Sequence, residues 1–381
     1  MSRTEQASRV PGKGMIEMRN QDKFRGCLIG GAAGDALGYA VEFLHEEQIF
    51  RNFGERGITG YALTGEVAQI SDDTQMTLFT ANGLLLGTAR GEGSDKAPLY
   101  IWKCYQDWLV TQESRCPPRE GPKSAWLGNI PELYSPRAPG NTCLSALHRG
   151  EKGTVEKPIN HSKGCGGVMR VAPIGLYFND RGMDIRDICR ISAETAALTH
   201  GHPLGWMPAA ALVQIIHEVS QDSENLPDAV MHSLETVEEI YPERKESRVF
   251  TNLIRKAVDL ASGKQNDLDA IHQLGEGWVG EEALAIAVYC ALRYSGDIDR
   301  ALIAAVNHRG DSDSTGAVTG NILGAQVGLS GIPDKYTKNL ELYDLIVEVA
   351  DDLGRDSRIS GDDKPDPVWM QKYITQSYGR R

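Results

Sequence analysis

The stretch Gly26-Cys27-Leu28-Ile29-Gly30-Gly31-Ala32-Ala33-Gly34-Asp35-Ala36-Leu37-Gly38 sets the architecture of this 381-residue chain. Its glycines at 26, 30, 34 and 38 recur every fourth residue, which stacks them on a single face of a helix. That face is nearly bare backbone. Each glycine costs about 1 kcal/mol of helix propensity relative to alanine, so another helix must approach closely enough to offset the loss. A second stripe, Gly316, Gly320, Gly324 and Gly328, makes the two segments candidates to cross or to pack on a common neighbour.

Outward from the stripes, most segments keep a helical period. Met76, Phe79, Gly83 and Leu86 fall at i, i+3, i+7 and i+10, and Glu281 to Arg293 reads as an amphipathic helix. Alternating strand patterns are scarce, and there is no internal repeat or long linker. One all-α domain over residues 23–381 is expected. Seven of the 17 prolines fall within 117–158, so residues 112–161 read as an elaborated, mostly irregular region. Residues 1–22 read as a flexible basic arm, because the first 25 residues carry Arg3, Arg9, Lys13, Arg19, Lys23 and Arg25 against only Glu5, Glu17 and Asp22.

The net charge of −12 argues against nucleic acid or an anionic membrane as a partner. The seven cysteines are odd in number, scattered and never in a Cys-x-x-Cys pair, which fits reduced thiols rather than a disulfide framework or a zinc site. The first 25 residues contain no apolar core of a secretory signal. The longest run free of Asp, Glu, Lys and Arg, Thr195 to His217, includes His200, His202, Pro203 and Pro208, which a membrane span tolerates poorly. A cytoplasmic protein is expected.

Two acidic clusters open helical segments. Ser71-Asp72-Asp73-Thr74 has a capping serine followed by two first-turn carboxylates, and Asp311-Ser312-Asp313-Ser314-Thr315 repeats the theme ahead of the second glycine stripe. Either cluster alone is accounted for by capping and by the helix dipole, worth about 0.3–1 kcal/mol per carboxylate. Brought together, they would supply enough hard oxygen donors for a pair of Mg²⁺ or Mn²⁺ ions. An EF-hand is excluded, since Thr315 and Ile322 stand where such a loop requires Asp or Asn and Glu. A third candidate, Ser162-Lys163-Gly164-Cys165-Gly166-Gly167, is a glycine-rich loop whose N–H groups could line an anion, with Lys163 and Arg170 nearby; it matches neither the Walker nor the dinucleotide pattern. His200 serves either the core or a phosphate.

Taken together, Gly30 to Gly38, Glu42-Phe43, Ser71 to Thr74, Gly166 to Gly175, Gly277-Trp278-Val279 with Glu281 to Leu284, and Gly310 to Ser314 resemble the ADP-ribosylglycohydrolase family, in family order, from about Phe24 to Gly331. The resemblance implies a single compact all-α domain of orthogonally packed helices. It also implies two Mg²⁺, with Mn²⁺ as the substitute, held by Ser71, Asp72 and Asp73 from one side and by Asp311, Asp313 and Ser314 from the other. Ser71 and Ser314 are often Thr in relatives, and a hydroxyl survives in both. Glu42 is implied as the general base, with Asp73 the second choice. The loop Ser162, Lys163, Gly164, Cys165, Gly166, Gly167 and His200 are implied to hold the diphosphate and ribose, with Cys165 departing from the usual Asn. The adenine platform stays unassigned between Trp278 and the proline-rich region.

The function so implied is hydrolysis of the N-glycosidic bond of mono-ADP-ribosylated protein, on arginine in preference to other linkages. The arm and the elaborated 112–161 region suggest a further partner, an ADP-ribosyltransferase toxin to which the chain would be the antidote. Two other readings stand beside it: a non-catalytic toxin-binding inhibitor acting through the arm, and a hydrolase of O-linked or poly-ADP-ribose.

Overall fold

A computed structural model describes residues 13–119, 121, 123–178, 182–221, 225–356 and 367–379. The helices are α1 Lys13–Tyr39, α2 Glu46–Phe53, α3 Asp72–Ala89, α4 Ala97–Glu113, α5 Asn141–His148, α6 Ala172–Tyr177, α7 Ile185–Ala197, α8 Pro203–Ser220, α9 Leu226–Ile240, α10 Lys245–Ala261, α11 Asp267–Leu274, α12 Gly280–Arg293, α13 Ile298–Val306, α14 Ser312–Val327, α15 Asp334–Thr337, α16 Tyr343–Asp356 and α17 Pro367–Trp369. Among the described residues there is no sheet, only three isolated bridges. The all-α class expected from the sequence is the one observed.

The glycine stripes meet each other directly. α1 and α14 run antiparallel with Gly26 against Gly324, Gly30 against Gly320, Gly34 against Gly316, and Gly38 against Ser312. A Cβ built on Gly34 would lie 2.0 Å from the Gly316 carbonyl oxygen, and one on Gly320 would lie 1.9 Å from the Gly30 carbonyl oxygen. Backbone therefore packs on backbone, and dispersion contacts along four turns offset the lost propensity.

Around this pair, α3, α8 and α12 are buried on nearly every side. For α12 this departs from the amphipathic reading. Its residues Ala283 to Ala291 are all buried because α8, α10 and α14 surround it, as expected of a central helix. Amphipathic α2, α7 and α10 form the outside.

The N-terminal boundary also differs from the expectation. α1 begins at Lys13, so the proposed end of the arm at residue 22 falls inside a helix. Its tertiary anchors begin there: Gln21 Nε2 and Arg25 Nε both donate to Asp351 of α16 at 2.5 Å, and Asp22 accepts from the Ser330 N–H and hydroxyl at 3.1 and 2.7 Å. Residues 1–12, the rest of the expected arm, lie outside the described residues, and with them the expected toxin contact. Among the described residues of 112–161 are the end of α4, two short 3₁₀ turns and α5. Among the described residues no helix is long and apolar enough to cross a membrane.

Candidate functional site

The antiparallel register of α1 and α14 determines where the site lies. With Gly38 against Ser312, the end of α1 meets the start of α14, and the turn after α1 carries Glu42 across that start. One turn back on α1, Asp35 reaches the start of α3. Its carboxylate accepts from the Ser71 N–H at 2.9 and 3.1 Å, from the Thr74 N–H at 3.1 Å, and from the Thr74 hydroxyl. Asp35 thus satisfies backbone donors that every helix N-terminus leaves open. One helix thereby fixes both acidic clusters.

Within each cluster the capping role is realised. Ser71 Oγ accepts from the Asp73 N–H at 3.2 Å, and the Asp311 carboxylate accepts from the Ser314 N–H at 3.3 Å. Asp72 is steered from the proline-rich region, where its Oδ2 accepts from the Gly140 N–H at 3.2 Å and its N–H donates to the Arg137 carbonyl at 3.0 Å. The two clusters face each other across the cleft, close enough for the Asp313 charge to raise the pKa of Asp72 and Asp73.

Five carboxyls, Glu42, Asp72, Asp73, Asp311 and Asp313, line one open cleft. Asp35 lies beneath it. Burial raises the pKa of all six, and repulsion from Asp313 adds to it in the other five. Asp35 is pushed up to about 7 and Glu42 to about 10. The buried oxygens Glu42 Oε2 and Asp73 Oδ2 have no hydrogen-bond partner. A cluster of this kind is costly unless protons or cations neutralise it.

The far wall is the glycine-rich loop. Gly164, Cys165 and Gly166 line the cleft with His200, whereas Ser162, Lys163 and Gly167 do not. Gly167 packs under Gly205, and Ser162 Oγ pairs with the Thr142 hydroxyl at 3.0 Å. Lys163, read from the sequence as an anion contact, instead forms an ion pair with Glu281 at the start of α12. That pair, with Cys165 N–H donating to the Trp278 carbonyl at 3.2 Å and Gly280 N–H donating to the Lys163 carbonyl at 2.8 Å, laces the loop to residues 277–281. Cys165 Sγ lies 2.7 Å from Asp311 Oδ2 as a donor, so the thiol turns toward the acidic cluster.

Arg170 is fully buried and does not reach the cleft. Its guanidinium donates to the Thr199 hydroxyl at 2.7 Å and lies 4.5 Å from the centroid of the Tyr105 ring. Thr199 Oγ1 lies 2.8 Å from His200 Nδ1. Because arginine only donates, the threonine proton is assigned to Nδ1, and in that tautomer Nε2 carries the ring proton. Burial and the Arg170 charge lower the His200 pKa to about 3. The imidazole is therefore a neutral donor at the wall of the cleft.

Hard oxygen donors with two unpartnered buried oxygens match the needs of Mg²⁺ or Mn²⁺ and not of a soft metal. Among the described residues, no three His, Cys, Asp or Glu side chains are already closed into an ion cage. The donor chemistry fits the ions.

Fold and site together define an all-α protein with an acidic, two-helix-terminus cleft facing a glycine-rich loop. The ADP-ribosylglycohydrolase family profile matches residues 17–362, and the chain belongs to that family, hydrolases of ADP-ribose linkages. It is 25% identical to the human ADP-ribosylhydrolase ARH3, over 88% of this chain and 94% of that protein. Similarity extends to the ADP-ribosyl-[dinitrogen reductase] glycohydrolase of Rhodospirillum rubrum, at 24% identity over 84% of this chain and 91% of that one. A solved structure described as an ADP-ribosylglycohydrolase-related protein complex superposes with a TM-score of 0.61 at 23% identity, covering 89% of this chain and 99% of the other, which bears on the fold alone.

Asn141, Thr142 and Met169 of the cleft lining escaped the sequence reading, as did Asp35 and Phe43. Asp35 was part of the glycine motif but has no local spacing that announces a partner 36 residues on. Phe43, directly after Glu42, is 71% exposed beside Trp278; its exposure has no signature in the sequence.

Proposed function

We propose that this protein is a Mg²⁺-dependent hydrolase of the N-glycosidic bond between ADP-ribose and a protein arginine side chain. The observation that carries the reading is the meeting of two acidic helix N-termini in one cleft, with Glu42 Oε2 and Asp73 Oδ2 buried and unpartnered. Ser71, Asp72, Asp73, Asp311, Asp313 and Ser314 would hold two ions. Bound there, the ions would polarise the hydroxyls of the distal ribose and acidify water.

The remaining work falls to the chain's own groups. The Gly166 N–H and the Nε2 proton of His200 take the diphosphate, the Gly164 and Cys165 N–H groups being held by Ser162 Oγ and the Trp278 carbonyl. With the charge of the neighbouring carboxylates balanced by the ions, Glu42 would be ionised, and it orients the attacking water and accepts its proton as the new C–O bond forms and the C–N bond breaks through an oxocarbenium-like state. The departing guanidine is strongly basic and ends with that proton, so the side chain leaves as guanidinium and Glu42 returns to its starting form. Asp73 is the second candidate to take the proton.

The test is release of ADP-ribose from arginine-modified protein with Mg²⁺, with EDTA, and with Asp72→Ala and Asp313→Ala. Release with Mg²⁺ that falls at least 100-fold in the other arms is expected. Turnover that survives EDTA would overturn the metal reading, and turnover only on serine-linked ADP-ribose would overturn the linkage.

A further inference from the structure

Phe43 and Trp278 are large aromatic side chains left open at the rim of the cleft, 71% and 40% exposed. Their rings stack with centroids 6.3 Å apart and planes inclined by 22°. An exposed aromatic pair forgoes much of the stabilisation its burial would bring, and such patches mark binding surfaces.

Both residues are tied to the reacting end of the cleft. Phe43 directly follows Glu42, and Trp278 lines the cleft itself, its carbonyl held by the Cys165 N–H. Beneath them the floor is acidic, with Glu42, Asp73, Asp311 and Asp313. Aromatic faces above carboxylates suit a flat cation and offer nothing to an anion. The anionic half of the substrate has its donors elsewhere, at His200 and the glycine loop.

We propose that Phe43 and Trp278 form the specificity rim for the leaving group, stacking on the guanidinium of the modified arginine. This rests on the glycohydrolase reading of the site and names which linkage it prefers. A serine hydroxyl brings no cation and no planar face, so the pair discriminates between linkages and gives ADP-ribose itself nothing.

The test uses full-length protein with Mg²⁺, an arginine-linked ADP-ribose conjugate, a serine-linked ADP-ribosyl peptide, and calorimetric binding of ADP-ribose. Phe43→Leu and Trp278→Leu should each lower the arginine-to-serine ratio of kcat/KM about tenfold, with Phe43→Tyr and Trp278→Phe restoring most of it. ADP-ribose affinity should stay within twofold. Phe43 is exposed, so its variants remain a valid test if Trp278→Leu fails to fold. An unchanged ratio would overturn the proposal, as would a matching loss of ADP-ribose affinity, which would make the pair a platform for the nucleotide. Wild type that cleaves only the serine peptide also overturns it. Wild type that cleaves neither conjugate removes the glycohydrolase reading itself, an outcome distinct from active wild type with indifferent variants.

Discussion

Gly34 of α1 and Gly316 of α14 are in backbone contact, so that a Cβ on either would lie within 2.4 Å of the other's carbonyl oxygen. The contact does more than hold two helices together, because the same register sets Gly38 beside Ser312 and Glu42 across the start of α14. Gly34→Ala must push the helices apart, at a cost of about 1–3 kcal/mol or more, and it displaces Asp313 relative to Asp35. We expect a fall of several degrees in Tm together with weaker metal binding. Gly87→Ala is the control: its new Cβ would meet the Tyr100 ring at 3.4 Å, ordinary contact, and alanine recovers up to about 1 kcal/mol of helix propensity. Thermal melts in which both variants move Tm the same way would rule out the close-packing account.

Asp35 acts on the site through α3 and not by lining the cleft. Every partner it has on α3 is a donor, so Asp35→Asn must turn an NH₂ group toward at least one N–H. Leaving a buried donor unmatched costs about 1–3 kcal/mol. Loss of the charge also relieves repulsion with Asp313, so folding stability should fall by less than this range. The start of α3 nevertheless loses its anchor, and Mn²⁺ affinity measured by calorimetry should drop at least tenfold. Thr74→Val, which removes one of the four donor contacts and no charge, should cost less. Unaltered Mn²⁺ binding in Asp35→Asn would show that capping by Ser71 and Asp311 suffices to place the ligands.

What the sequence made legible was what is local to a helix turn. The stripes declared themselves because four-residue spacing is a property of one helix, and the acidic clusters because a cap and its first turn are contiguous. Direct pairing of the stripes, with partner numbers adding to 350, was only one of two arrangements that spacing allowed. Lys163 illustrates the opposite case: on its loop it looked like an anion contact, and only the approach of Glu281, 118 residues away, shows where its charge goes. The length of α1 was missed for a related reason, since the anchors of Gln21, Asp22 and Arg25 lie on α16 and after α14, far along the chain. Local charge pattern alone gave an arm.

His200 supplies a pH signature that separates it from the carboxylates. Burial and Arg170 lower its pKa to about 3 in the fold, against an ordinary 6.5. The folded chain therefore binds this proton less readily than the unfolded chain does, and stability from this residue is complete above pH 6.5 and is lost progressively as pH falls toward 3. At pH 5 the loss is about 2 kcal/mol, from 1.36 kcal/mol per unit over the 1.5 units below 6.5. Replacing His200 with Gln removes the titration, so the fall in unfolding free energy between pH 7 and pH 5 should be smaller in the variant by roughly that amount. Because Nε2 keeps its proton in the neutral ring across the same interval, ADP-ribose affinity of the wild type should show no inflection near 6.5. Urea unfolding at the two pH values checks the first expectation, and a calorimetric pH series with ADP-ribose the second. A His200 ring resonance titrating near 6.5 by NMR would contradict both, since it would mean that Arg170 and burial do not keep the imidazole neutral.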